Sequence, residues 1–168
     1  RTATGYGSVT NVADLTLAEL KQLDVGAKFS PAFVGERIPT LAEALRAMPP
    51  GISAMVHRKT GTTSNFVAVL RAENALSNTI IATDDYGFLI DMRQREPDSQ
   101  LCYIGDGPLT ASSLASLRNR RISNVSWNKS AATSDLVEQV HAYGLKIYLW
   151  SISTPEIETY RDLGVDGL

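Results

Sequence analysis

The feature that most constrains this chain is an alternation that starts at Ile52. Runs of β-branched, aromatic and aliphatic residues take turns with segments of helical spacing, five times over, and a sixth strand is beginning at Val165-Asp166-Gly167-Leu168. Strands are predicted over residues 52–59, 79–83, 101–104, 122–127 and 146–152. Helices are predicted over residues 64–76, 84–95, 110–120 and 134–143, and a last one runs from Thr154-Pro155 to Gly164. Pro155 suits a first helical turn, with Thr154 as cap, and Gly164 ends the helix because it enters the left-handed conformation without a steric penalty. Strands joined through single helices run parallel, since each crossover returns the chain to the same end of the sheet. Two architectures satisfy this pattern, a (β/α)8 barrel of the TIM type and an open doubly wound sheet. A strand-to-strand spacing of roughly two dozen residues suits the barrel. No glycine-rich phosphate fingerprint follows any strand, which weighs against the dinucleotide-binding open sheet.

Upstream of Ile52 the pattern changes. The opening, RTATGYGSVTNVADLT, is rich in Gly, Thr and Ser and reads as loop. Thr16-Leu17-Ala18-Glu19 is a capping box for a short helix ending near Gly26. Residues 28–38, with Pro31 and Gly35, read as irregular. Thr40-Leu41-Ala42-Glu43 is a second capping box, whose helix runs to Met48 before Pro49-Pro50-Gly51 breaks it. The chain opens on Arg1 rather than Met, and a lone strand at its far end has nothing to pair with, so the expectation is a segment of a longer protein. No charged n-region followed by an apolar run is present, and no apolar run approaches the ~20 residues needed to cross a membrane.

Composition narrows the function classes. At 168 residues the length suits one domain or part of a larger one. A net charge of −2 carries no polybasic footprint, so nucleic acid is not an expected partner. Cys102 is the single cysteine, which excludes an internal disulfide framework. It sits in LCYIG, a buried-strand pattern, and reads as a packed, unreactive thiol. Nothing in the sequence indicates a compartment.

The predicted strand at residues 52–59 carries most of the chemistry. Successive strand side chains point to opposite faces. Ile52, Ala54 and Val56 share an apolar face suited to packing under helices; Ser53, Met55, His57 and Lys59 share the other. His57 and Lys59 lie at the C-terminal end, where barrel active sites are built. A lysine there favours an anion, and a neutral imidazole is a metal donor. The competing reading, a solvated strand-end lysine and an ordinary histidine, stays open on composition and spacing alone.

Several segments resemble the glycerophosphodiester phosphodiesterase family, whose fold is a (β/α)8 barrel. The stretch from Arg1 through PTLAEAL resembles the family's insertion segment and the Pro-Thr-Leu helix start after it. VHRKTG resembles the strand with the pattern Glu-x-Lys. GDGPLT, VSWN and HAYGLKIYLWSISTPEIETYRDLGVDG resemble the last third of the barrel. The resemblance divides the chain into an insertion segment, residues 1–38, and βα units, residues 39–168. It implies an incomplete barrel holding strands three to eight, with the two catalytic histidines and a Glu-x-Asp metal pair located before Arg1. The implied activity is metal-assisted hydrolysis of a glycerophosphodiester to glycerol 3-phosphate and an alcohol, in lipid metabolism, with calcium or magnesium as cofactor. A chain without those histidines is expected to be inactive alone.

The same resemblance assigns individual positions. Lys59 matches the family's phosphate-contacting lysine. Trp150 matches a tryptophan lining the substrate pocket, with ordinary core packing as the alternative. His57 stands where the family has its third metal-binding Glu, so a neutral nitrogen donor replaces a carboxylate at a site suited to a hard ion. Asp84 falls at the end of the neighbouring strand, where it restores negative charge. Ala82 and Ser153 also depart from the family pattern. Trp127 is assigned to packing and His141 to a helix C-terminus. Two functions follow: an active phosphodiesterase whose metal site accepts His57, or a catalytically degenerate barrel that binds phosphate-bearing ligands or acts as a scaffold.

Overall fold

The computed structural model describes residues 11–168; the first ten residues of the predicted opening loop lie outside them, and a 3-10 turn covers Val12–Asp14 in the rest. The chain divides into two compact units, one ending at Met48 and the other Pro49–Leu168. In the first unit both capping boxes form. Thr16 caps α1 (Leu17–Leu20) and Thr40 caps α2 (Leu41–Arg46), each exchanging hydrogen bonds with the glutamate three residues on. Both helices are shorter than expected, since a capping box starts a helix but does not extend it. Between them, a 3-10 turn covers Pro31–Phe33 and Asp24 pairs with Arg37 in an isolated antiparallel bridge. Gly26 is obligatory there: a Cβ would lie 1.9 Å from the Phe33 carbonyl oxygen.

The second unit is a parallel five-stranded sheet. Its strands are β1 (Ala54–His57), β2 (Thr79–Thr83), β3 (Gln100–Gly105), β4 (Asn124–Asn128) and β5 (Lys146–Trp150). The crossovers are α3 (Thr63–Ala72), α4 (Tyr86–Arg95), α5 (Ala111–Asn119) and α6 (Ser134–Ala142), and α7 (Ile157–Arg161) follows β5. Every strand pairs with the next in sequence, giving the order β1-β2-β3-β4-β5. A doubly wound sheet reverses direction at a switch point. This one never reverses, so it curls as a half-barrel of the (β/α) type.

The helices are amphipathic at the expected spacing. Leu70, Leu89, Met92, Leu114, Leu117, Val137 and Val140 are buried from the helix side, and Ile81, Leu101, Val125 and Ile147 from the sheet side. A side-chain oxygen caps each crossover helix, from Thr62, Asp85, Thr110 and Thr133 in turn. Such a cap contributes about 1 kcal/mol. Cys102 is fully buried, and burial pushes its thiol up to about 12.

Three sequence expectations are corrected here. The first strand pairs only over Ala54–His57, because the turn at Pro49-Pro50-Gly51 extends to Ile52, whose N–H binds the Pro49 carbonyl. Ile52 is consequently 53% exposed and does not pack under the helices. The helix after β5 opens with a 3-10 turn at Thr154–Glu156, and Ser153 rather than Thr154 is its cap residue, its N–H donating to Glu156 Oε2 at 2.9 Å. The terminal strand is a single parallel bridge between Gly167 and Tyr148. It is held by the Asp166 N–H on the Ile147 carbonyl at 2.9 Å and the Leu149 N–H on the Gly167 carbonyl at 3.0 Å.

Candidate functional site

Parallel strands of one sheet present all their C-terminal ends together. At that end, residues from all five strands and the loops that follow them converge, most of them of one parity. His57 and Lys59 come from the end of β1, Ala82 and Asp84 from β2, Ile104, Gly105 and Asp106 from β3, and Trp150 from β5. With Met55 and Ser126 they line one cavity of about 520 Å³. That volume is in the range of small-molecule pockets. The structure thus places the four sequence-predicted site residues, Lys59, Trp150, His57 and Asp84, on the same cavity wall.

The wall carries mixed charge. Lys59 makes no hydrogen bond or ion pair among the described residues, so its ammonium has no carboxylate of its own. Burial holds the His57 imidazole below its ordinary range; Lys59 lowers it further and Asp84 opposes both. His57 is therefore biased toward the neutral form, and it senses both charged neighbours. Trp150 is 36% exposed at the lip of β5. The next residue, Ser151, has φ of 68°, which turns the chain sharply away from the strand.

Among the described residues, no group of three or more His, Cys, Asp or Glu side chains is arranged to hold a metal ion. His57, Asp84 and Asp106 share the cavity without forming a three-donor group.

Sequence reasoning passed over three residues here. Asp106 follows β3 and enters the cavity from the turn Gly105-Asp106-Gly107; a carboxylate just past a strand end was the available signal. Arg58 and Asp85 lie behind the wall and join in an ion pair at 2.8 Å. Arg58 has the strand parity of Ala54 and Val56, which already marked it as facing the helices. The remaining assignments separate from the cavity. Trp127 is 4% exposed, donates from Nε1 to the Gly107 carbonyl at 2.7 Å and packs as expected. His141 lies in the last turn of α6, 3.0 Å from Asp166, which also accepts the Ile147 N–H.

Comparison with known proteins adds to this geometry. The chain is 27% identical over its whole length to a glycerophosphodiester phosphodiesterase of Caldanaerobacter subterraneus subsp. tengcongensis, of which it spans 71%. It is 23% identical over 96% of its length to a glycerophosphodiester phosphodiesterase of Arabidopsis thaliana, spanning 52% of that protein. Its fold superimposes on an Oleispira antarctica phosphodiesterase solved with the product sn-glycerol 3-phosphate, with a TM-score of 0.86 at 22% identity, covering all of this chain and 70% of that one. In some solved structures the share spanned falls just below two thirds, as at 66%. A profile of the glycerophosphoryl diester phosphodiesterase family matches residues 1–168 from end to end. Sequential parallel strands, a cavity at their C-terminal ends and this unbroken match together establish that the chain belongs to the glycerophosphoryl diester phosphodiesterase family.

Proposed function

We propose that this chain forms the substrate-binding side of a phosphodiesterase that hydrolyses glycerophosphodiesters to glycerol 3-phosphate and an alcohol. The observation that carries the reading is the pairing of an ammonium without an ion pair among the described residues, Lys59, with a partly exposed indole, Trp150, on one cavity at the strand ends. Lys59 holds the phosphate as a point charge, and Trp150 covers the glycerol or head group. A calcium or magnesium ion is the proposed cofactor, with His57 and Asp84 as donors. Two donors from the described residues hold such an ion weakly.

The test is calorimetric titration of the full-length protein with sn-glycerol 3-phosphate, beside an assay for its release from glycerophosphodiesters. A charge-assisted hydrogen bond contributes about 1.5–3 kcal/mol, and Lys59 stands at an exposed strand end. Lys59→Ala should therefore weaken binding at the lower end of that range, about tenfold. Unchanged affinity would return Lys59 to a solvated strand end. His57→Glu should strengthen calcium or magnesium binding by supplying a hard carboxylate donor; unchanged metal affinity would remove His57 from any cation site. The alternative, a degenerate barrel that binds phosphate-bearing ligands or serves as a scaffold, draws on His57 at a position expected to be acidic and on the lack of a three-donor group among the described residues. Tight binding of glycerol 3-phosphate without turnover of any diester would favour it.

A further inference from the structure

Arg58 lies in sequence between His57 and Lys59, yet its side chain sits on the opposite face of the sheet, against the helices, because strand neighbours alternate. Only 14% of that side chain is exposed. Its guanidinium makes three kinds of contact. Nε and Nη2 donate to the Gly61 carbonyl at 3.2 and 2.8 Å. Nη1 donates to Asp85 Oδ2 at 2.8 Å. Its Cζ lies 4.3 Å from the centroid of the Phe88 ring, which meets Phe66 edge to face at 5.7 Å. One side chain thus ties the loop after β1 to the N-terminus of α4, and through Phe88 to α3.

Those two segments carry the cavity residues. Lys59 lies between Arg58 and Gly61, and Asp84 immediately precedes Asp85. Asp85 is fixed from its other side as well: Oδ1 accepts the Phe88 N–H at 2.9 Å as helix cap, and its own N–H donates to Thr83 Oγ1 at 3.2 Å. The Phe88 amide, then Arg58, hold the Asp85 carboxyl below its ordinary range, so it stays charged. Packing alone does not call for an arginine here. Ala54 and Val56 fill the same face without one, and desolvating a guanidinium is costly. The planar fork does what an apolar side chain cannot, holding two acceptors at a fixed angle.

We infer that Arg58 is a positioning residue that sets Lys59 and Asp84 at the cavity by clamping the β1–α3 loop to the cap of α4. The inference rests on the proposed role of Lys59, and the test separates the two. The full-length protein, Arg58→Gln, Lys59→Ala and the double variant are titrated with sn-glycerol 3-phosphate. Arg58→Gln should weaken binding about fivefold, yet change it less than about twofold once Lys59 is alanine, because no ammonium remains to be placed. Asp85→Asn keeps the helix cap, since Asn caps as well as Asp, but loses the ion pair. It should reproduce the effect and its dependence on Lys59, and it decides the question should Arg58→Gln not fold. Arg58→Lys should not restore affinity, because one ammonium cannot span both Gly61 and Asp85. Parent-like binding in Arg58→Gln and Asp85→Asn, or effects that multiply independently of Lys59→Ala, would overturn the inference while leaving Lys59 in its role. No effect of Lys59→Ala itself would overturn both.

Discussion

Gly105→Ala probes how the cavity wall is built. Gly105 ends β3 opposite Trp127 of β4. A Cβ at this position would lie 2.3, 2.7 and 2.8 Å from Cη2, Cζ3 and Cζ2 of the Trp127 ring. Carbon atoms at rest sit about 3.5 Å apart or more, so the ring must retreat by roughly 1.2 Å. It has little freedom to do so. The indole is 4% exposed, its Nε1–H is held by the Gly107 carbonyl at 2.7 Å, and the Tyr103 ring lies 6.0 Å away, centroid to centroid. Overpacking a core costs about 1–3 kcal/mol. Losing the indole hydrogen bond adds about 0.5–1.5 kcal/mol. Gly105→Ala should therefore destabilise by about 1.5–4.5 kcal/mol, which at a urea m-value of about 2 kcal/mol/M lowers the midpoint by about 0.75–2.25 M. Urea unfolding followed by far-ultraviolet circular dichroism measures it. The three clashing atoms belong to the outer ring of the indole, so Trp127→Phe should relieve most of the penalty in the double variant. A Gly105→Ala midpoint within about 0.25 M of the parent, or strictly additive effects with Trp127→Phe, would refute the reasoning.

Two further outcomes follow from the titrating groups. In a proton NMR titration the His57 ring should titrate below the ordinary 6.5, rise toward it in Lys59→Ala, and fall further in Asp84→Asn. Because the unfolded chain takes up the proton first, His57 should erode stability as pH falls from 6.5 through its lowered value, and His57→Gln should remove that part of the acid sensitivity. A ring that titrates identically in all three proteins would separate these groups. Cys102, buried with its thiol raised to about 12, should stay unlabelled by a thiol reagent in native protein at pH ~8 and react after denaturation, as read by peptide mapping. Labelling in the native state would show that β3 opens to solvent.

How much of this was legible beforehand depended on whether the signal was local. The β2 strand was predicted over 79–83 and forms over Thr79–Thr83, because β-branched residues fill both faces of a buried strand. Thr110, the first residue of the helix predicted over 110–120, does cap α5, whereas the caps Thr62, Asp85 and Thr133 were not singled out, and each crossover helix is shorter than its predicted span. Alternation alone fits a singly or a doubly wound sheet; strand spacing and the missing glycine-rich fingerprint favoured the barrel, and the sequential pairing agrees with a half-barrel. At the cavity, strand parity put His57 and Lys59 together, and family resemblance added Trp150 and Asp84. Arg58 was hidden because a run of three basic-type residues, His57-Arg58-Lys59, looks like one solvated patch until parity is applied to the middle one. Its partners, Gly61, Asp85 and Phe88, lie up to 30 positions away in the chain and meet it only through the parallel pairing of β1 with β2. Ser153 displaced Thr154 as cap because Glu156, three residues beyond Ser153, reaches back to its N–H.

The most direct test of the central claim is where a phosphate ester binds. A crystal structure of the full-length protein with sn-glycerol 3-phosphate should place the phosphate within reach of Lys59 Nζ and the glycerol against the Trp150 ring, in the cavity at the C-terminal ends of β1 to β5. The same sheet offers a competing location, a cleft of about 490 Å³ lined by Arg93, Arg118 and Arg121. Phosphate density in that arginine cleft, with the Lys59 cavity holding only solvent, would contradict the account.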